Sequence, residues 1–226
     1  METNTGLIKN NSELRALSRK QLKGKWGTAI LLYFIFFLIT GLLGCIPIAG
    51  AIVSWIISGP LTFGLISCFL RLVRNEDFRF ENLFDGFKNF ASSFVLMLLM
   101  GIFTFLWSLL FIIPGIIAAY RYSMAFYILN DNPEIGAMNA LRESKKMMTG
   151  HKGKLFLLHL SFIGWGILIS IALVLGYVIV ISLLDTSIVL GIILLILAAI
   201  GYLFLIPYIN TTTANFYENL KEVSKY

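Results

Sequence analysis

Charge is what this chain of 226 residues has least of. Only 13% of it is Asp, Glu, Lys or Arg, about half the roughly 25% of an ordinary soluble protein. With 58% hydrophobic residues, that shortage excludes a water-soluble globular domain. Cysteine is equally scarce. Cys45 and Cys68 fall near opposite ends of successive apolar stretches, too far apart for a disulfide, so both read as packing residues. Histidine occurs twice, as His151 and His159, with no cysteine or carboxylate cluster nearby, which argues against a zinc site. There is no phosphate-binding Gly-rich loop, no Gly-x-Ser-x-Gly and no His-Glu-x-x-His. No metal, cofactor or nucleic acid is implied, and no residue is a candidate for catalysis.

What the chain has in abundance is long apolar runs. By length they predict six spans, near Trp26 to Cys45, Ile52 to Phe69, Phe94 to Ile113, Ile116 to Leu129, Leu155 to Leu183 and Ile188 to Ile209, against a hydrocarbon core of about 30 Å. The first run is too long for a signal-peptide core, and a second follows at once, so it reads as a retained span. The fold class expected is all-α: one integral membrane domain, with a basic amino-terminal helix over 1–25, six spans over 26–209 and a short tail over 210–226.

Long and short connections alternate. The turns Ile46 to Ala51, Pro114-Gly115 and Leu184 to Ser187 hold no Lys or Arg. Every basic residue except Arg121 lies on the other side, in the amino-terminal segment, in Arg71 to Asn89, in Asn130 to Lys154 or in the tail. The positive-inside rule makes that side cytoplasmic, with both termini there and the chain in the cell membrane. Span four, 14 residues by this reading and about 21 Å long, is the least regular element.

A weak repeat runs through the pattern. Lys23-Gly24-Lys25-Trp26, Lys88-Asn89-Phe90 and Lys152-Gly153-Lys154-Leu155 head the outward spans, and Pro60, Pro114 and Pro207 accompany the return spans. This suggests three parallel hairpin units. Amphipathic elbows precede them. Asn11 or Ser12 can cap a helix with Glu13 in its first turn and Leu14, Leu17 and Leu22 on one face. Asn132-Pro133-Glu134 reads as a second helix start, with a stripe of Met138, Leu141 and Met148 ending at Gly150. Such helices attract anionic headgroups, so Arg15, Arg19, Lys20, Lys23, Lys25, Lys152 and Lys154 are candidate lipid contacts. Acidic Glu76, Asp77, Glu81 and Asp85 interleave with Arg71, Arg74, Arg79 and Lys88 as a solvated interfacial face.

Arg121 is the one charged residue placed well inside a span, where a basic group costs about 2.5 to 3.5 kcal/mol on insertion scales. No intramembrane carboxylate is available to it. Its expected partners are the Tyr120 or Tyr122 hydroxyls, a carbonyl freed by Pro114 or Pro60, or a bound anion. An arginine snorkelling from a short span is the plainer alternative.

Several runs resemble one family. They are Asn11-Ser12-Glu13-Leu14-Arg15-Ala16-Leu17, Leu22 to Trp26, Ile113-Pro114-Gly115-Ile116, Tyr127 to Pro133, Ala140 to Ser144 with Met147 to Gly150, Leu160 to Trp165, and Phe216-Tyr217-Glu218. In order and over almost the whole chain, they resemble the Gram-positive integral membrane family called domain of unknown function 975. More distantly, they resemble the non-catalytic membrane domain attached to some glycerophosphodiester phosphodiesterases. The resemblance implies a fold and no activity. The residues leave three classes open. One is a non-enzymatic accessory or scaffold protein that interacts with anionic lipid or a membrane partner; another is a transporter, flippase or channel using Arg121; the third is an intramembrane enzyme.

Overall fold

The computed structural model describes residues 8–46, 48–182 and 188–223, and among these it holds helices and no strand. The chain begins with α1 (Asn11–Leu22). Asn10 caps it, accepting the Glu13 amide at 2.9 Å while Glu13 accepts the Asn10 amide at 3.1 Å. The cap therefore falls one residue before Asn11 and two before Ser12, the expected positions. The helix buries Leu14, Ser18 and Leu22, and Leu17 is only half-buried. Ser18 lies on the buried face because this helix packs on polar side chains of another helix.

Then come α2 (Trp26–Gly44), α3 (Ala49–Val73), a 3₁₀ segment Phe80–Asn89, α4 (Phe90–Leu110), α5 (Ile112–Tyr122), α6 (Ala125–Asp131), α7 (Ala137–Met147), α8 (Lys152–Ile181) and α9 (Ile188–Val223). Six stretches are long and apolar enough to cross a membrane: α2, α3, the run Phe80–Leu110, the run Ile112–Asp131, α8 and α9. The protein is a multi-pass all-α membrane bundle.

Sequence neighbours α2 and α3, α4 and α5, and α8 and α9 pack as three hairpins. At the tightest crossing of the last pair, a Cβ on Gly176 would stand 2.9 Å from the Gly191 carbonyl oxygen. Small residues at this crossing let the two backbones touch where lipid supplies no hydrophobic drive. A short basic-side element precedes each hairpin: α1, the 3₁₀ segment and α7.

The core sits at the end of the bundle that carries the lysines and arginines. There the buried side chains are most of Leu61 to Val73 of α3, Leu83 of the 3₁₀ segment, Met124 to Leu129, Ala140 and Leu141 of α7, Leu155, Leu158 and Phe162 of α8, and most of Thr211 to Leu220 of α9. Away from that end the hairpins expose apolar side chains such as Leu109, Trp165, Leu168 and Leu197. Within the expected tail over 210–226 the described residues are helical. As far as Val223 they continue α9, and they are the most buried part of that helix.

Span four also differs from expectation. It runs from Ile112 to Asp131 but breaks at Ser123–Met124 into α5 and α6. Ser144 of α7 repairs the break: its Oγ accepts the Met124 amide at 3.2 Å and donates to the Arg121 carbonyl at 3.0 Å. Backbone groups freed inside a bundle need such a partner. The preceding turn is at Phe111, and Pro114 occupies the first turn of α5, where its missing N–H costs nothing. The start at Asn132-Pro133-Glu134 is a 3₁₀ turn, Pro133–Ile135, separated from α7 by Gly136 at φ +75°. Leu141 and Met148 are buried as expected, whereas Met138 is exposed, its place taken by Ala137 and Ala140. The turn Leu184 to Ser187, with Leu183, lies outside the described residues.

Candidate functional site

The 3₁₀ segment is seated on α3 by contact of backbone with backbone. A Cβ on Gly64 would lie 1.8 Å from the Leu83 carbonyl oxygen, and one on Gly86 would lie 1.9 Å from the Pro60 carbonyl oxygen. This fixes the acidic run. Asp85 pairs with Arg71 at 3.3 Å and with Lys88 at 2.7 Å, and Asp77 pairs with Arg79. The interleaved basic residues pair with acids of the same run at the surface, with one exception.

Arg74 is that exception. It reaches Asp131 at the end of α6, at 2.7 Å, and its Nε donates to Glu218 of α9 at 2.9 Å. Burial works against the Arg74 charge, but Asp131 and Glu218 outweigh it and hold its pKa above the ordinary arginine value. Asp131 also takes Lys221 and the Tyr217 hydroxyl, the latter at 2.7 Å. Five side chains from three helices thus close one charged knot. Beside it is a cavity of about 980 Å³ lined by Asp131, Tyr217, Lys221, Glu143, Lys146 and His151 among others. The buried His151 Nδ1 has no hydrogen-bond partner among the described residues. Burial, aided by the charge of Lys154, lowers the His151 pKa below 6.5.

A second polar seam joins α1 to α9. Asn215 donates to Ser18 at 3.0 Å and to Gln21 at 2.6 Å, Gln21 donates to the Val73 carbonyl at 3.2 Å, and Asn219 accepts the Lys9 amide at 2.8 Å. Arg19 donates to Tyr208 at 2.9 Å, and the Tyr208 hydroxyl donates to the Arg15 carbonyl at 3.2 Å.

The three consecutive residues proposed as one intramembrane site point apart, as a rotation of 100° per residue requires. Arg121 lays its guanidinium over the Trp107 ring, 5.5 Å from the centroid, a contact of the cation–π kind. Tyr122 is buried against Phe103. Tyr120 turns to α8, where its hydroxyl is 3.4 Å from His159 Nδ1. On the other ring edge His159 Nε2 meets Thr213 Oγ1 at 3.1 Å, and that hydroxyl already donates to the Ile209 carbonyl. Thr213 must therefore accept from Nε2–H, which leaves Nδ1 to accept from Tyr120. Among the described residues, then, no two of Arg121, Tyr120 and Tyr122 converge on one anion.

The basic candidates divide as well. Arg15 and Lys154 share a cavity with Lys9, whereas Lys152 lines another with Tyr120, Ile116 and Phe156. Arg19 is engaged with Tyr208, and Lys20 and Lys23 are exposed. Asp131, Ser144, Asn215, Tyr217 and Glu218 carry much of the polar structure, yet sequence reasoning singled out none of them. Two signals pointed there. Thr211, Asn215 and Asn219 recur every fourth residue, a helical face, and the runs around Asp131 and Glu218 were among those that carried the family resemblance.

The model of the family described as protein of unknown function (DUF975) matches residues 1–118 and 109–224. Neither a curated protein nor a solved structure matches the chain.

Proposed function

We propose, for a chain that belongs to the DUF975 family of proteins of unknown function, that it is a non-enzymatic accessory or scaffold protein. In this reading it lies in the cell membrane with both termini in the cytoplasm and organises anionic lipid or a membrane partner. The observation that supports this best is the division of labour between the two ends of the bundle. At the basic end the charged groups of α3, α6 and α9 are spent on one another, as in a fixed platform. Beyond it the hairpins offer apolar faces to their surroundings. A Gram-positive source and distant kinship with the membrane domain of some glycerophosphodiester phosphodiesterases belong to the same reading and rest on the motif runs alone. The test is isolation in native lipid: enrichment of anionic phospholipid or of a defined membrane protein supports the reading. Catalytic turnover by the pure protein sinks it.

A transporter, flippase or channel is the second reading, favoured by Arg121, whose guanidinium lies over the Trp107 ring rather than on a carboxylate. Arg121→Gln should then abolish anion or lipid flux in proteoliposomes at unchanged expression. If the wild type shows no flux, Arg121 is an anchor held by Trp107, and the scaffold reading gains.

A further inference from the structure

We infer that the cavity between the amino end of α1 and the start of α8 binds the phosphate of an anionic phospholipid headgroup, an assignment that rests on the lipid-organising reading above and gives it a site. The cavity measures about 620 Å³, within the range of about 300 to 1,000 Å³ usual for small-molecule sites. Lys9, Arg15 and Lys154 line it together with Asn10, Asn11 and Ser12, and no described carboxylate does. The acidic residue nearest in sequence, Glu13, accepts the Asn10 amide in the capping box of α1.

Three further observations point to an anion there. The Arg15 Nε is buried and has no hydrogen-bond partner among the described residues, and a buried charged donor without one is costly unless a ligand supplies it. The Arg15 backbone is held through its carbonyl by Tyr208, so the guanidinium projects from a docked helix. The cavity also lies at the positive end of the α1 dipole.

Phosphate alone, from a lipid or free in solution, would suit that chemistry. The floor separates the two sources. Ile8 and Leu157 complete the lining, and helical periodicity continues from Leu157 along α8 to Trp165 and Leu168, all three exposed. A headgroup held by Arg15 and Lys154 would lay its acyl chains on that stripe, which a free ion does not need.

The test is native mass spectrometry of the full-length protein titrated with phosphatidylglycerol, with phosphatidylcholine, and with inorganic phosphate as competitor. Phosphatidylglycerol should bind in preference to phosphatidylcholine, and phosphate should not displace it. Each basic residue near an anionic surface is worth about five-fold in affinity, so Arg15→Gln with Lys154→Gln should weaken binding about thirty-fold. Arg142→Gln with Lys145→Gln, which removes the same charge from exposed positions outside the cavity, should change it far less.

Asn11→Glu guards against misfolding, because an acid in the first turn favours the helix while it repels an anion; it too should lose lipid. Equal loss in both pairs of variants, or wild-type binding by Asn11→Glu, overturns the site and leaves the broader lipid reading standing. Displacement by phosphate overturns the lipid source. Absence of any preference for phosphatidylglycerol in the wild type overturns both site and lipid reading.

Discussion

Neutralising Asp131 tests whether the charged knot holds the basic end together. In Asp131→Asn the carboxylate that takes Arg74, Lys221 and the Tyr217 hydroxyl keeps one acceptor oxygen and turns an amide toward donors. A hydrogen bond to a charged group is worth about 1.5 to 3 kcal/mol. The Asp131 side chain is 16% exposed and its partners Arg74 and Lys221 are 28% and 34% exposed, so solvent screens part of that, and Arg74 retains Glu218. The net loss should be about 2 to 3 kcal/mol, or about 5 to 10 °C in midpoint for a chain of this size. Cys68 supplies the assay, because its thiol is buried. In a Cys45→Ser background, its reaction with a maleimide dye during a thermal ramp reports opening of the core. Asp77→Asn, which breaks the exposed pair with Arg79, should leave the midpoint where it is. A shift below about 0.5 kcal/mol for Asp131→Asn, or equal shifts for the two variants, would falsify the view that the knot carries stability.

Two further outcomes follow from packing. Gly64→Ala puts a Cβ 1.8 Å from the Leu83 carbonyl oxygen, and relief to ordinary contact would shift backbone rather than a flexible side chain; the loss should reach the upper part of the 1 to 3 kcal/mol seen on overpacking, read as lower yield and a lower Cys68 opening temperature, whereas Gly101→Ala, which meets nothing within 4 Å, should be silent. In a cysteine-free background, single cysteines at Ser12, Asn82 and Lys145 should resist an impermeant thiol reagent in intact cells while one at the exposed Phe111 labels; labelling at Lys145 alone from outside would overturn span four and the six-span count. Ser144 cannot serve there, since it is fully buried against α5 and α6.

How far the sequence spoke depended on whether an element answers to lipid or to protein. The six apolar stretches and their pairing were legible because span length and the position of basic residues are set by the bilayer. Interruptions inside the bundle were not, because they depend on a partner distant in sequence. The break after Tyr122 is tolerable only because Ser144 comes up beside it. The stretch after Ile209 read as a tail because Thr211, Asn215 and Asn219 are polar, and polarity on a helix facing α1 looks the same in sequence as polarity facing water. For the candidate site, single residues were legible and their grouping was not. Arg121 stood out by charge alone, but which of Tyr120, Tyr122 and Trp107 would meet it is a matter of helix rotation. Arg15 and Lys154 were both singled out, yet nothing in their spacing of more than a hundred residues says that they share one cavity.

The unequal helices set a geometric condition on the surrounding membrane. At helical rise α2, with 19 residues, is about 28 Å long, and α8, with 30, about 45 Å. A hydrocarbon slab of about 30 Å matches the first upright and the second only by tilting or by carrying its excess into the headgroups. Both helices leave the same basic end, so the excess of α8 is met by tilt, by entry into the headgroups or by thicker lipid beside it. A thicker bilayer relaxes the α8–α9 arm and stretches the lipid beside α2, and a thinner one does the reverse; Pro207, buried inside α9, leaves that helix one backbone hydrogen bond short where its apolar length meets the core.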